Sequence, residues 1–274
     1  MKKSSCLINN IIRENRWKCI YKEQAPIIAT AIHKGHYIDN EILEQMIIPE
    51  EDRLREEDPY TELFASICEN KIIIQLSRFM VDMNRPQHRA VYLNPGESWG
   101  ISVWKKPLTN KSIRYLDKLY LQFYNDIRKY LDIFKNEFNH FVILDIHSYN
   151  HQRSGPEEMP DDPKVNPDIN VGTGTMQTKK WRILIDQFIH NLGGQHINGR
   201  RLDVRENIKF QGGYFPKWIH NNYMENACVL SIEIKKIFMN EWTGEVNYEK
   251  VDAVKEALRS TIPGIYDELS KLTE

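Results

Sequence analysis

The sequence lacks the features that mark several large classes of protein. No apolar run reaches the roughly 18–20 residues of a membrane span, and the apolar stretch near the N-terminus is interrupted by Asn9, Asn10 and Arg13, which is not typical of a signal peptide. The net charge is -1, from 37 basic and 38 acidic residues, whereas a general nucleic-acid-binding protein usually carries a basic excess. We therefore expect a globular, cytoplasmic protein with neither nucleic-acid nor membrane partners.

Cysteine is scarce as well, with four in 274 residues and no C-x-x-C pair: Cys6, Cys19, Cys68 and Cys228. This spacing excludes a zinc finger and a redox motif of the thioredoxin type. A chain of this length buries a large apolar core and needs no disulfides to stabilise it, so we expect reduced core thiols. No change in composition marks a domain boundary, and one domain over residues 1–274 is the simplest interpretation.

What the sequence does contain is an alternation of short apolar runs and long amphipathic patterns. The apolar runs predict four buried strands, at 25–32, 71–76, 141–146 and 228–234. Amphipathic spacing predicts three helices, at 112–138 with Ser112 as N-cap, at 179–192, and at 248–272 with an interruption at Pro263. Residues 150–175 are predicted to form a loop. The alternation indicates an α/β fold with helices on both faces of a sheet.

Ionisable side chains lie near the ends of these strands, where ligands bind in open α/β sheets. His33 follows the first strand and His147 follows the third. Glu233 lies in an otherwise apolar strand, where a carboxylate costs several kcal/mol unless it pairs, for example with Lys235 or an arginine, or serves a metal site. Asp145 lies two residues before His147 and on the same face, which suits either support of a metal ligand or an ordinary salt bridge.

Together these residues fit a metallohydrolase. Catalytic zinc takes three His or carboxylate ligands and keeps one position open for water, and a nearby carboxylate accepts the proton of that water. We expect His33 and His147 to be ligands and Glu233 to be the general base. Arg78 and Arg85 are suited to bind a substrate carboxylate, because guanidinium and carboxylate groups pair in a bidentate geometry.

Several sequence blocks resemble, in the same order, motifs of the N-formylglutamate amidohydrolase family. The most specific is S-R-F-M-V-D-M-N-R-P at 77–86, which resembles S-R-x-x-x-D-x-N-R-P. The other blocks are I-H-K-G-H-Y-I at 32–38, L-D-I-H-S at 144–148, Q-G-G-Y at 211–214 and S-I-E-I at 231–234. The resemblance covers residues 26–240. It extends to zinc carboxypeptidases, whose L-H-S-Y strand is similar to I-H-S-Y at 146–149.

This resemblance implies a fold, a reaction and further site residues. The implied fold is of the phosphorylase/hydrolase type, a three-layer sandwich with a mixed, mostly parallel sheet, and the implied cofactor is one zinc ion. The implied reaction is cleavage of the amide bond of an N-acyl amino acid, in the family an N-formyl amino acid such as N-formylglutamate. Arg78 or the metal would stabilise the oxyanion, and the implied substrate-binding residues are Asn84, Arg85, Gly213 and Tyr214.

The third metal ligand departs from the carboxypeptidase pattern. Carboxypeptidases have a glutamate three residues after the first histidine, but this sequence has His36 there. The family has an aspartate followed five residues later by an apolar pair, which best matches Asp58. We therefore predict Asp58 as the third ligand ahead of its neighbour Glu57. The alternative is that the acidic segment 50–58 is a solvated helix start.

Two other functions remain open at this stage. The same metal site could belong to a peptidase or to another N-acyl amino acid amidohydrolase, or the chain could be a degenerate homologue that binds a ligand without catalysis. Ala31 replaces the proline that often precedes the family's first histidine, and Lys209 and Phe210 replace a proline–tyrosine pair before the glycine turn. These differences bear on the substrate rather than on the metal chemistry.

Overall fold

The strands and helices are taken from a computed structural model, which describes residues 10–272. Residues 1–9, with Cys6, lie outside it. The strands are β1 (Ile11–Arg13), β2 (Trp17–Ile20), β3 (Ile27–Ala31), β4 (Lys71–Ile74), β5 (Phe141–Tyr149), β6 (Ile169–Gly172), β7 (His196–Ile197), β8 (Arg200–Arg201), β9 (Val204–Glu206) and β10 (Ala227–Lys235). The helices are α1 (Asn40–Leu43), α2 (Glu50–Glu56), α3 (Thr61–Ala65), α4 (Asn110–Glu137), α5 (Thr178–Gly193), α6 (Tyr214–Tyr223), α7 (Tyr248–Arg259) and α8 (Ile262–Lys271).

Eight strands form one sheet in the order β1-β2-β4-β3-β5-β10-β6-β9, and β7 pairs with β8 separately. The four central strands, β4, β3, β5 and β10, are parallel to one another. The pairs β1–β2, β2–β4 and β10–β6 are antiparallel. The expected α/β fold with a mixed, mostly parallel sheet is confirmed.

Helices cover both faces of the sheet. On one face, α4 and α6 bury apolar side chains against strand residues such as Ile143, and on the other α3, α5, α7 and α8 pack against strand residues such as Leu144. Successive strand residues point to opposite faces, so the central strands must be apolar at nearly every position. This is why their sequences are continuous apolar runs, and why three layers form.

Some expectations about individual elements are wrong. The predicted loop 150–175 contains β6, and β5 continues to Tyr149, so His147 lies within the strand rather than after it. The N-cap of α4 is Thr109, whose hydroxyl oxygen accepts a hydrogen bond from the Ser112 N–H at 3.1 Å. The predicted helix 248–272 is two helices, α7 and α8, with Pro263 in the first turn of α8, where a missing N–H costs nothing.

The described cysteines, Cys19, Cys68 and Cys228, are buried and free, in agreement with the expectation of core thiols. Within residues 10–272, none of the helices has both the length and the hydropathy needed to cross a membrane.

The turn after β3 holds His33 in place. The Tyr37 N–H donates to the carbonyl oxygen of Gln75, which follows β4, at 2.8 Å. A Cβ atom at Gly35 would lie only 2.3 Å from the backbone carbonyl carbon of Gln75. Because only glycine permits this close approach, the segment leaving β3 is fixed against the segment leaving β4.

Candidate metal and active site

Three elements bring His33, Asp58 and His147 together at one edge of the sheet. His33 follows β3, His147 lies in the neighbouring parallel strand β5, and Asp58 lies just after α2. The Asp58 N–H donates to the His33 carbonyl oxygen at 3.0 Å, which fixes the turn that presents the carboxylate. All three residues are at most 3% exposed.

The donor atoms of these three residues fit one metal ion. Asp58 Oδ2 lies 3.0 Å from His147 Nδ1 and 3.6 Å from His33 Nδ1, and one donor atom from each residue lies within 4.8 Å of the others. Ligands of a tetrahedral zinc ion are about 3.3 Å apart, because each is 2.0–2.1 Å from the metal. Two imidazoles and one carboxylate also form a donor set of the catalytic type, which leaves a fourth position open.

Two buried carboxylates orient the histidine rings. His33 Nε2 lies 2.7 Å from Asp82 Oδ1, and His147 Nε2 lies 3.1 Å from Asp145 Oδ2. With each Nε2–H donating to its carboxylate, the Nδ1 lone pairs face Asp58, as a metal site requires. Asp145 is itself held by the Thr30 hydroxyl, which donates to its Oδ1 at 2.6 Å.

Asp82 is a buried residue of the site to which the sequence analysis gave no role, although it lies within the motif at 77–86. It accepts hydrogen bonds from Arg78 Nη2 at 3.0 Å, from the Asn84 N–H at 2.8 Å and from the Tyr92 hydroxyl. Burial opposes its ionisation, but the charges of His33 and Arg78 outweigh burial and hold the Asp82 pKa well below its usual value. Asp82 is therefore a fixed negative charge behind His33.

The pKa values of Asp58 and His147 are strongly shifted. Burial disfavours ionised Asp58, but the hydrogen bond from His147 and the nearby imidazole of His33 outweigh burial and lower the Asp58 pKa below its usual value. Burial likewise disfavours a charged His147, but Asp145 and Glu233 outweigh it and raise the His147 pKa well above its usual value. A proton on His147 competes with a metal ion for Nδ1, so metal binding would release it.

We predict that Asp145→Asn weakens zinc binding about 10–100-fold, the usual cost of removing a carboxylate that supports a metal ligand. Asparagine keeps the shape and the contact with Thr30 but removes the charge behind His147. Zinc affinity measured by competition with a chelator tests this. Asp126→Asn is the matched control, because Asp126 is also buried but binds Arg13 and Trp17 instead. Equal zinc affinity in wild type and Asp145→Asn would contradict the prediction.

Glu233 lies directly beside His147, because β10 pairs with β5 in a parallel register that aligns these two residues. Among residues 10–272 its carboxylate has no hydrogen-bond or ion-pair partner, and it faces the pocket. The alternative of an ion pair with Lys235 is wrong, since Lys235 Nζ lies 3.2 Å from Asp168 instead. Burial, with repulsion from Asp58 and Asp145, raises the Glu233 pKa to about 7.

Glu57, the alternative third ligand, is engaged elsewhere. Its Oε2 lies 2.6 Å from His36 Nδ1, and its Oε1 accepts a hydrogen bond from the Ser77 hydroxyl. The potential metal-binding group contains Asp58 and not Glu57. His36, at the position of the carboxypeptidase glutamate, thus binds Glu57 rather than the metal site.

A pocket of about 330 Å³ opens onto these groups. Seven of the nine predicted site residues line it: His33, Asp58, Arg78, Asn84, His147, Gly213 and Glu233. Part of the pocket wall forms where the segment that holds Asn84 lies close to the segment before α6. A Cβ atom on Gly213 would lie only 2.2 Å from Asn84 Oδ1. That oxygen also accepts a hydrogen bond from the Phe215 N–H at 2.9 Å, at the start of α6.

Arg85 and Tyr214 are not among the residues that line the pocket. Arg85 Nη2 donates to the Glu97 carbonyl oxygen at 2.7 Å, and its guanidinium lies 4.3 Å from the Tyr92 ring centre. Tyr214 begins α6, and its ring packs against Tyr124 at 6.0 Å. Their substrate-binding roles stay predictions.

Several pocket residues were not found from the sequence. They are Arg55, Glu56, Trp99, Ser148, Tyr149, Asn150, Arg153, Lys209, Phe210, Gln211, Gly212 and Lys236. Within residues 10–272, Ser148 Oγ and Asn150 Oδ1 are buried without a hydrogen-bond partner. Ser148 and Asn150 follow His147 closely, and this was the available signal. The others come from distant segments.

Comparison with known proteins places these features in a family. The sequence model of the N-formylglutamate amidohydrolase family matches residues 25–239. None of the curated protein sequences matches the chain.

Solved structures share the fold. The N-formylglutamate amidohydrolase from Ralstonia eutropha JMP134 has a TM-score of 0.70 and 15% identity, over 94% of this chain and 99% of that one. A gene product of Agrobacterium tumefaciens has a TM-score of 0.61 and 14% identity, over 88% of this chain and 92% of that one. A metallo-carboxypeptidase from Burkholderia cenocepacia matches with a TM-score of only 0.39 and 15% identity, over 92% of this chain and 61% of that one.

Proposed function

The chain belongs to the N-formylglutamate amidohydrolase family, and from this premise we propose that it is a zinc-dependent hydrolase of N-acyl amino acids such as N-formylglutamate. One observation carries the proposal. The buried donor set of His33, Asp58 and His147 shares a pocket with Glu233, a carboxylate with no partner among the described residues. The three cysteines that the structure describes are free, which favours the reducing cytoplasm as the location.

A bound divalent ion and Glu233 would have different roles in amide hydrolysis. When bound, a divalent ion supplies Lewis acidity, which makes water acidic near neutral pH and polarises an amide carbonyl. Glu233 accepts the proton of the attacking water and delivers it to the leaving amine. With a pKa raised to about 7, it can do both near neutral pH. For an N-formyl amino acid, water addition and C–N cleavage give formate and the free amino acid.

Arg78 is placed to stabilise negative charge that develops on the carbonyl oxygen. Its guanidinium lines the pocket and is held by Asp82 at 3.0 Å and by the Tyr92 hydroxyl at 3.1 Å. A cation fixed in this way needs no reorganisation during the reaction, which is the basis of electrostatic stabilisation. Asn84, Gly213 and Tyr214 keep the substrate-binding roles implied by the family resemblance.

A substrate panel together with metal analysis tests the proposal. Protein purified with added zinc is expected to hold one ion per chain and to release formate from N-formylglutamate. The panel includes other N-formyl and N-acetyl amino acids and dipeptides, with zinc removal by chelator as the control. Hydrolysis of peptides alone would contradict the N-acyl amino acid assignment. Failure to bind zinc would contradict the metalloenzyme and leave the non-catalytic homologue as the better explanation.

A further inference from the structure

The cations around the pocket fall into two groups. Three arginines lie close to carboxylates: Arg78 is 3.0 Å from Asp82, Arg153 is 2.9 Å from Glu56, and Arg55 is 3.1 Å from Asp52. The other two cations are Lys209 and Lys236. Among residues 10–272, neither lysine has a carboxylate within 4.0 Å of its Nζ. Within the described residues, each of the three arginines therefore has a carboxylate partner, whereas the two lysines have none.

Lys236 follows β10, three residues after Glu233, and is only 1% exposed. Its Nζ donates to the carbonyl oxygens of Arg55 at 2.6 Å and Glu57 at 2.9 Å. An ammonium group has three N–H donors, so one donor is left. Burial lowers the Lys236 pKa to about 8, since the two carbonyls do not replace the lost hydration of the charge.

Lys209 approaches the pocket from the segment before the glycine turn. Its Nζ donates to Asn166 Oδ1 and lies 4.7 Å from the ring centre of Tyr149 and 5.8 Å from that of Phe210. Burial lowers its pKa as well. Two N–H donors are left, in a half-buried position between aromatic rings, where an electrostatic contact with an anion is strengthened.

Arg85 has a different environment. It is not part of the pocket lining, and it is held by the Glu97 carbonyl oxygen at 2.7 Å and lies 3.6 Å from Asp82. Asp82 is shared between Arg85 and Arg78. Because Arg85 does not line the pocket, it is less well placed than either lysine to bind an incoming carboxylate.

We propose that Lys209 and Lys236, rather than Arg85, bind the carboxylates of the substrate, and that the pair selects N-acyl amino acids with two carboxylates over those with one. The inference rests on the proposed function, since it concerns the amino-acid part of the same substrate. Binding an anion would supply the carboxylate partner that each buried ammonium group lacks.

Calorimetric titration with glutarate and with pentanoate, a monocarboxylate of equal chain length, tests the proposal on the full chain loaded with zinc. Wild type is expected to bind glutarate at least about tenfold more tightly, because its second carboxylate would gain charge-assisted hydrogen bonds that pentanoate cannot form. Lys209→Met and Lys236→Met should each reduce this preference about tenfold or more, and Lys236→Arg should restore most of it. Lys217→Met, at an exposed position on α6, is the charge-matched control.

Other outcomes would overturn the proposal. If Lys236 only bridges the carbonyls at the end of α2, Lys236→Met will lower the melting temperature without changing the preference for glutarate. A larger loss of glutarate binding in Arg85→Gln than in either lysine variant would also refute it. Should Lys236→Met fail to fold, Lys209→Met still decides the matter. Because no turnover is measured, a protein that binds glutarate through these lysines but hydrolyses nothing would refute only the proposed function.

Discussion

Replacing Glu233 by glutamine is expected to lower kcat for N-formylglutamate hydrolysis about 10³-fold, within the range that general acid–base groups contribute. Glutamine has nearly the same shape but cannot accept the proton of water. Since no described residue pairs with the Glu233 carboxylate, the substitution leaves no other buried group without its partner. We therefore expect the variant to fold and to hold one zinc ion per chain, as measured by atomic absorption.

Glu241→Gln is the matched control for this variant. Glu241 is a buried glutamate, but it accepts hydrogen bonds from the N–H groups of His151 and Gln152 and lies outside the active-site pocket. We expect it to lose stability rather than catalysis. Glu233 would be removed from the role of general base if Glu233→Gln kept wild-type kcat. Loss of zinc from Glu233→Gln would instead make this residue a ligand.

The raised pKa of Glu233 predicts how kcat/KM depends on pH. Burial and the charges of Asp58 and Asp145 raise the Glu233 pKa to about 7, and only the ionised form accepts a proton. As the pH falls through this pKa the base is protonated, so kcat/KM declines on the acid side. A bound cation favours the ionised carboxylate, so the apparent pKa of this decline lies at or below 7. The decline should disappear from the residual activity of Glu233→Gln.

The sequence predicted the centre of the sheet better than its edges. β3, β5 and β10 are buried on both faces, and their continuous apolar runs show this directly. β6 has only four residues, I-N-V-G, and contains a polar side chain and a glycine. It forms a strand because β10 beside it supplies hydrogen-bond partners, which a local pattern does not reveal.

A site residue could be predicted from the sequence where its side chain does not suit the apolar residues around it. Glu233 was found because a carboxylate in an apolar strand is costly unless it has a partner or a function, and His147 because it follows the apolar run 141–146. Lys236 was missed because lysine is normally a surface residue, and its burial depends on carbonyl groups about 180 residues away in sequence. The contact between Asp82 and His33 spans 49 residues in the same way. Contacts between residues this far apart in sequence can be identified only from the folded structure.

Asp58→Asn is expected to reduce zinc affinity by more than about 100-fold, beyond the cost of removing a supporting carboxylate. The charge of Asp58 faces both imidazoles, at 3.0 Å from His147 Nδ1 and 3.6 Å from His33 Nδ1, and no other carboxylate belongs to the potential ligand group of the described residues. Asparagine keeps the size but presents a neutral oxygen. The measurement is zinc affinity by chelator competition, with retained fold checked by circular dichroism.

Glu57→Gln is the matched comparison, because it removes the same charge from the adjacent residue. Glu57 binds His36 and Ser77, so its loss should lower the melting temperature while zinc affinity changes only a few-fold. The backbone explains why the two neighbours differ: Glu57 is extended, with φ -76° and ψ 170°, and in extended backbone successive side chains point to opposite sides. If Glu57→Gln lost zinc and Asp58→Asn kept it, the third ligand would be Glu57.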